Sequence, residues 1–254
     1  MTDALETVGG AETVLSAVDG EAGRLILRGW PVEAIAGRWR FEDAVALLWD
    51  GFVAIPAAGM QAALGEARAE VYRRTLPSLS IVAGRPVFDG LRVLMALLPD
   101  TDATETALLA AAAPGVLVPA LVRLAAGSGT IRPDETLPHA ADALRMLGTA
   151  DPTRAAALDA YLVTVADHGL NASTFTARVI ASTQAGLVSA VLGALGALKG
   201  PLHGGAPGPV LDMLDAIGAP EAASAWIEAA LTRGERLMGF GHRIYRVRDP
   251  RADA

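Results

Sequence analysis

Apolar residues recur at helical spacing along most of the chain, and proline or glycine closes each run. Before the helices begin, two short apolar runs flank Asp19-Gly20-Glu21-Ala22-Gly23, so residues of about 15–27 read as a β-hairpin. Pro31 suits the first turn of a short helix reaching Ala36. Phe41, Val45, Leu48 and Trp49 mark a helix that Asp50-Gly51 ends. Further helices are expected near 57–74, 87–98, 103–112 and 115–126. His139 opens a run to Leu147, where a structural or solvated role is expected for it. Asp151-Pro152 starts a helix running to about Asp167, as an N-cap followed by proline at the first helical position. The stretch Val179–Leu198 carries no charge and is long enough to cross a bilayer. Its serines, threonine, glutamine and glycines fit better the buried centre of a large helical protein. No internal repeat or long linker interrupts this series, so the expected fold class is mainly α.

Composition sharpens that picture. Hydrophobic residues make up 52% of the 254 but aromatic ones only 5%, so the core must be built from Ala, Leu and Val in close-packed helices. The net charge of −7 argues against a nucleic-acid partner. With no cysteine, disulfides and thiolate chemistry are excluded. No histidine pair has the spacing of helical metal ligands, so a metal-free site is expected. The first residues lack a basic segment followed by an apolar one, so a cytoplasmic location without a membrane partner is expected.

The candidate chemistry gathers between Gly196 and Arg251. Gly200-Pro201-Leu202-His203-Gly204-Gly205-Ala206 and Gly239-Phe240-Gly241-His242-Arg243 each set one imidazole among glycines, where backbone can approach a ligand closely. Arginines follow at 246, 248 and 251, the last after an Asp-Pro turn signal. Two imidazoles and a guanidinium suit a substrate with polarised carbonyls and carboxylates. Upstream, Asp167-His168-Gly169-Leu170-Asn171-Ala172-Ser173 breaks the helical pattern, and Asn171 or Ser173 could serve there simply as a helix cap.

Both glycine–histidine segments resemble the citrate synthase family. So do the 167–174 segment and the opening, notably Val18-Asp19-Gly20-Glu21-Ala22-Gly23-Arg24-Leu25-Ile26 and Phe41-Glu42-Asp43-Ala44. The opening is assigned no chemistry. The resemblance implies a citrate-synthase-like multi-helical fold, with a large helical domain over 1–198 and the first part of a small one over 199–254. It implies condensation of acetyl-CoA with oxaloacetate to citrate and CoA. An uncharged imidazole can stabilise the enolate oxygen when it sits near a helix N-terminus. By resemblance His203 takes that role, with a helix over 209–217 close behind it. His242 polarises the ketone, while His168 and Arg251 hold oxaloacetate. Arg246 and the loop Leu237, Met238, Gly239, Phe240, Gly241 meet CoA. No tightly bound cofactor is implied, acetyl-CoA being a co-substrate. A homodimer is implied too, with the uncharged 179–198 helix as its candidate interface.

Two departures from the family pattern stand out. Pro207-Gly208-Pro209 replaces a usual asparagine after Gly204-Gly205-Ala206. The family pattern also continues past Asp249-Pro250-Arg251 to an aspartate base and further arginines that are not among these residues. The 254 residues alone are therefore expected to be a poor catalyst, or to work with a complementing C-terminal polypeptide. Three readings stay open: 2-methylcitrate synthesis from propionyl-CoA, a catalytically impaired binding or regulatory homologue, and a shortened gene product without an independent role.

Overall fold

The computed structural model describes residues 12–149, 151–205, 207–241 and 244–253. The chain opens with a small antiparallel sheet of β1 (Ser16–Asp19), β2 (Arg24–Leu27) and β3 (Trp30–Pro31). Ser16 pairs with Leu27 and Asp19 with Arg24, so the hairpin falls where the sequence places it. The two-residue β3 was not expected, and Pro31 precedes α1 (Val32–Ile35) rather than lying inside it. Helices follow in order: α2 (Phe41–Trp49), α3 (Met60–Thr75), α4 (Val87–Met95), α5 (Thr104–Ala125), α6 (His139–Leu147), α7 (Pro152–Thr164), α8 (Ala172–Ala181), α9 (Leu187–Leu198), α10 (Pro207–Ile217) and α11 (Ala223–Thr232). The fold is mainly α, as expected.

The core is organised around α5. Its Leu109, Ala112, Ala113, Val116, Leu117, Ala120 and Leu121 are buried in one cluster with Leu64 and Val71 of α3 and Leu91 and Leu94 of α4. Two helices were expected here, broken near Pro114, yet α5 runs through both Pro114 and Pro119. A proline inside a helix costs about 3 kcal/mol. The apolar face continues in register on both sides of Pro114, so burial of a single long stripe outweighs the lost backbone bonds. By length and composition α5 is also the one described helix apolar enough to span a membrane. Its buried stripe is what a central core helix requires.

The uncharged 179–198 stretch is likewise corrected. It is two elements, α8 and α9, separated by a turn in which Gln184 and Gly186 take φ of 59° and 101°. Asp100, far away in sequence, makes the break. Its carboxylate accepts from the backbone N–H of Val188 at 2.9 Å and of Ser189 at 3.1 Å, and from the Ser189 hydroxyl. These bonds satisfy the first turn of α9 and hold the Asp100 carboxyl below its ordinary range.

Beside α5, buried polar groups tie α2, α3 and α6 together. Arg68 donates from Nε to Asp142 at 2.9 Å, both side chains being wholly buried. The same guanidinium bonds the carbonyls of Asp134 and Leu137. His139 is also buried, and its backbone N–H donates to Glu42 at 2.6 Å. Burial, reinforced by the Arg68 charge, pushes its imidazole down to about 3. Because the folded state resists a proton that the unfolded chain accepts, stability falls as pH drops through the window from about 6.5 to about 3. The slope from this one group approaches about 1.4 kcal/mol per pH unit. His139→Leu is expected to flatten the urea-unfolding free energy across that window, whereas an unchanged slope would remove His139 as its source.

Candidate active site

The segment between α7 and α8 is pinned from both ends. Asp167 accepts from the Ser16 hydroxyl of β1 and from the Gly169 N–H at 2.9 Å, and Gly169 N–H also reaches Ser16 Oγ at 3.0 Å. At the other end Asn171 caps α8, accepting from Thr174 N–H at 3.0 Å. The capping role read for Asn171 is therefore real. His168 and Ser173, both half-buried, are carried between these two anchors.

His203 sits in a knot of tight turns leaving α9. Its N–H bonds the Gly200 carbonyl at 2.9 Å, and Gly204 N–H bonds the Leu198 carbonyl at 2.9 Å. A Cβ at Gly204 would stand 2.5 Å from that carbonyl oxygen, so only glycine fits. The knot delivers His203 Nε2 to within 2.9 Å of Ser173 Oγ. The Ser173 hydroxyl also lies 2.8 Å from Asn171 Oδ1. Its one proton serves Nε2 when the imidazole carries its own proton on Nδ1, the tautomer that leaves Nδ1 able to donate to a ligand. The cap of α8 and the orientation of His203 thus belong to one chain of hydrogen bonds.

The third segment, 244–251, meets the first through Tyr245. Its hydroxyl lies 3.0 Å from His168 Nε2, with the two rings edge to face and 5.7 Å between centroids. Burial, with the Asp249 charge adding to it, raises the phenol above its ordinary range, so it keeps its proton at neutral pH. The Arg251 guanidinium lies 6.0 Å from the Tyr245 ring centre. It pairs with both oxygens of Asp249, at 3.0 and 2.6 Å, in the forked geometry of a carboxylate ligand. Asp249 also caps the short turn Pro250–Ala252. Arg251 is therefore presented as a carboxylate receptor already holding an internal carboxylate.

Of the other expected residues, Arg246 is largely exposed and 3.9 Å from Glu21. Leu237 and Met238 are half-buried, Gly239, Phe240 and Gly241 exposed, with Gly239 lying against Val210 of α10. His242 lies outside the described residues. The structure thus joins His168, Tyr245 and Arg251 in one cluster and links His203 to it through the 168–173 segment. No described bond joins the 237–241 loop or Arg246 to that cluster. Among the described residues no three His, Asp or Glu side chains converge as a metal site. A concavity between α6 and α7, lined by Arg40, Arg145 and Asp159, holds none of these groups.

Sequence reasoning missed the support. The N-terminal hairpin, read as chemically idle, holds two site segments: Ser16 fixes the His168 loop, and the β1–β2 turn cradles residues 244–248. Arg246 N–H bonds the Gly20 carbonyl at 2.9 Å, and a Cβ on Gly20 would stand 2.3 Å from the Ile244 carbonyl oxygen. Gly20→Ala is expected to push this segment away and weaken ligand binding at Arg251 by about tenfold or more, since small misplacements of binding groups are costly. Affinity within twofold of wild type, read by calorimetry, would show that the hairpin does not hold the site. Nothing in the local sequence of residues 16–23 signals this role, because both partners lie more than 140 residues away.

The family model for the citrate synthase C-terminal domain matches residues 4–254. A citrate synthase of Haloferax volcanii is 38% identical over 98% of this chain and 70% of that protein. A 2-methylcitrate synthase of Mycobacterium tuberculosis is also 38% identical, over 94% of this chain and 64% of that protein. Among solved structures, citrate synthase from Thermotoga maritima superposes with a TM-score of 0.82 at 32% identity, covering 99% of this chain and 70% of that one. A ternary complex of the Thermoplasma acidophilum citrate synthase with carboxymethyl coenzyme A and oxaloacetate gives a TM-score of 0.80 at 25% identity, over 99% of this chain and 70% of that chain. The sequence motifs, the helical fold and these matches agree: the chain belongs to the citrate synthase family of acyltransferases.

Proposed function

We propose that the protein condenses acetyl-CoA with oxaloacetate and hydrolyses the resulting thioester to give citrate and CoA. The observation that carries this reading is the meeting of His168, Tyr245 and Arg251 beside the Ser173–His203 pair, in a chain of this family. Arg251 and His168 would take the carboxylate and carbonyl oxygens of oxaloacetate, with oxaloacetate displacing Asp249 from part of the guanidinium fork. His203, its ring held by Ser173, would stabilise the enolate oxygen of acetyl-CoA. His242 would polarise the ketone that the enolate carbon attacks. Arg246 and residues 237–241 would meet CoA. The base that takes the methyl proton is not assigned to any of these residues.

The remaining expectations belong to the same proposal. They are a large domain over 1–198 with part of a small one over 199–254, no tightly bound cofactor, a cytoplasmic location and a homodimer. The uncharged stretch 179–198, divided between the end of α8 and α9, is the surface we assign to the dimer. The equal identity to a 2-methylcitrate synthase favours a second substrate reading, with propionyl-CoA in place of acetyl-CoA. The ratio of kcat/KM for the two thioesters decides between them.

Calorimetric titration with oxaloacetate tests the binding half. Arg251→Leu removes a charge-assisted pairing and is expected to cost about 1.5–3 kcal/mol of binding free energy. Arg251→Lys should recover only part, because a point charge cannot reproduce the planar fork. Unchanged affinity in Arg251→Leu would remove this residue from the site.

A further inference from the structure

We propose that Tyr245 is a positioning residue for oxaloacetate, fixing the His168 imidazole and the Arg251 guanidinium relative to each other; the proposal rests on the oxaloacetate reading of the site. Tyr245 is only 6% exposed, whereas its neighbours Ile244 and Val247 are 48% and 53% exposed. The buried ring therefore anchors the exposed stretch 244–248. Its two ends do different work. The hydroxyl, 3.0 Å from His168 Nε2, fixes how far the imidazole turns. The ring face lies under Arg251, whose guanidinium carbon is 6.0 Å from the centroid, within range of a cation–π attraction. A tyrosine ring has two side-chain torsions and little freedom once packed, so it transmits position well. A four-carbon diacid must meet both groups at once, and their separation is set through this one side chain.

The backbone on either side is tied down independently. Arg246 N–H bonds Gly20, and Pro250 is buried ahead of Arg251. Loss of the hydroxyl alone should therefore disturb His168 without unseating the segment, and loss of the whole ring should disturb both groups.

The test uses Tyr245→Phe and Tyr245→Leu in the full chain, with oxaloacetate affinity read by calorimetry and the His168 imidazole titration followed by NMR. Tyr245→Phe is expected to weaken oxaloacetate binding by about two- to tenfold, the measure of one hydrogen bond, and to move the His168 titration. Tyr245→Leu should weaken binding further. In a His168→Ala background, Tyr245→Phe should change affinity by less than about twofold, because its effect passes through that ring. Wild-type affinity and an unmoved His168 titration in Tyr245→Phe would overturn the proposal. An equal loss in both backgrounds would do so as well, since it marks a merely structural role. A wild-type protein that fails to bind oxaloacetate would overturn the reading of the site itself, and the ligand-free titration would then separately decide whether Tyr245 sets the His168 ring.

Discussion

Replacing His203 by alanine is expected to lower turnover by about 10²–10³-fold while oxaloacetate binding stays within about threefold of wild type. Removing a single donor aimed at a developing oxyanion typically has an effect of that size. Oxaloacetate is assigned to other groups, so binding and turnover should separate. Ser173→Ala supplies the intermediate case. It leaves the imidazole in place but removes the hydroxyl 2.9 Å from Nε2, so the ring loses its fixed orientation. Its turnover should fall less than that of His203→Ala, with the thioester KM and kcat both affected. CoA release measured with a thiol reagent, beside calorimetry on the same preparations, distinguishes these results. A His203→Ala protein that turns over within threefold of wild type would remove His203 from the chemistry.

The largest expected effect on stability is at the Arg68–Asp142 pair. Both side chains are wholly buried, and Asp142 also accepts from the backbone N–H of Asp134 at 3.1 Å and from Arg145 at 2.7 Å. Asp142→Ala leaves the Arg68 charge buried without its counter-ion, which typically costs about 3–5 kcal/mol. For a chain of this size that corresponds to a fall in Tm of roughly 6–20 °C. The double variant Arg68→Met with Asp142→Leu removes both charges and should recover much of the loss, because the desolvation penalty disappears with them. A calorimetric scan showing equal destabilisation in the single and double variants would mean that the pair acts through packing alone.

What the sequence made legible divides along physical lines. Helix α2 was readable because its signals are local, apolar residues on one face and Asp50-Gly51 at its end; the structure adds Asp43 accepting from the Arg40 N–H at its start. The break between α8 and α9 was not, because Asp100 creates it from 88 residues away. Continuity through Pro114 was also hidden, since it depends on the burial of a stripe shared with α3 and α4. The site follows the same rule. Its histidines and Arg251 stand in recognisable local motifs, whereas the Ser173–His203 bond, the Ser16–Asp167 bond and the seat of residue 244 over Gly20 join distant segments. Ser173 was noticed as a cap, and only the folded chain adds its bond to His203.

The most direct test of the site is a crystal structure of the protein soaked with oxaloacetate. The expected result is one molecule beside Tyr245, with a carboxylate on the Arg251 guanidinium, another oxygen within hydrogen-bond reach of His168, and Asp249 drawn partly off Arg251. Oxaloacetate bound elsewhere, with the Arg251–Asp249 pair and the His168–Tyr245 bond undisturbed, would contradict it.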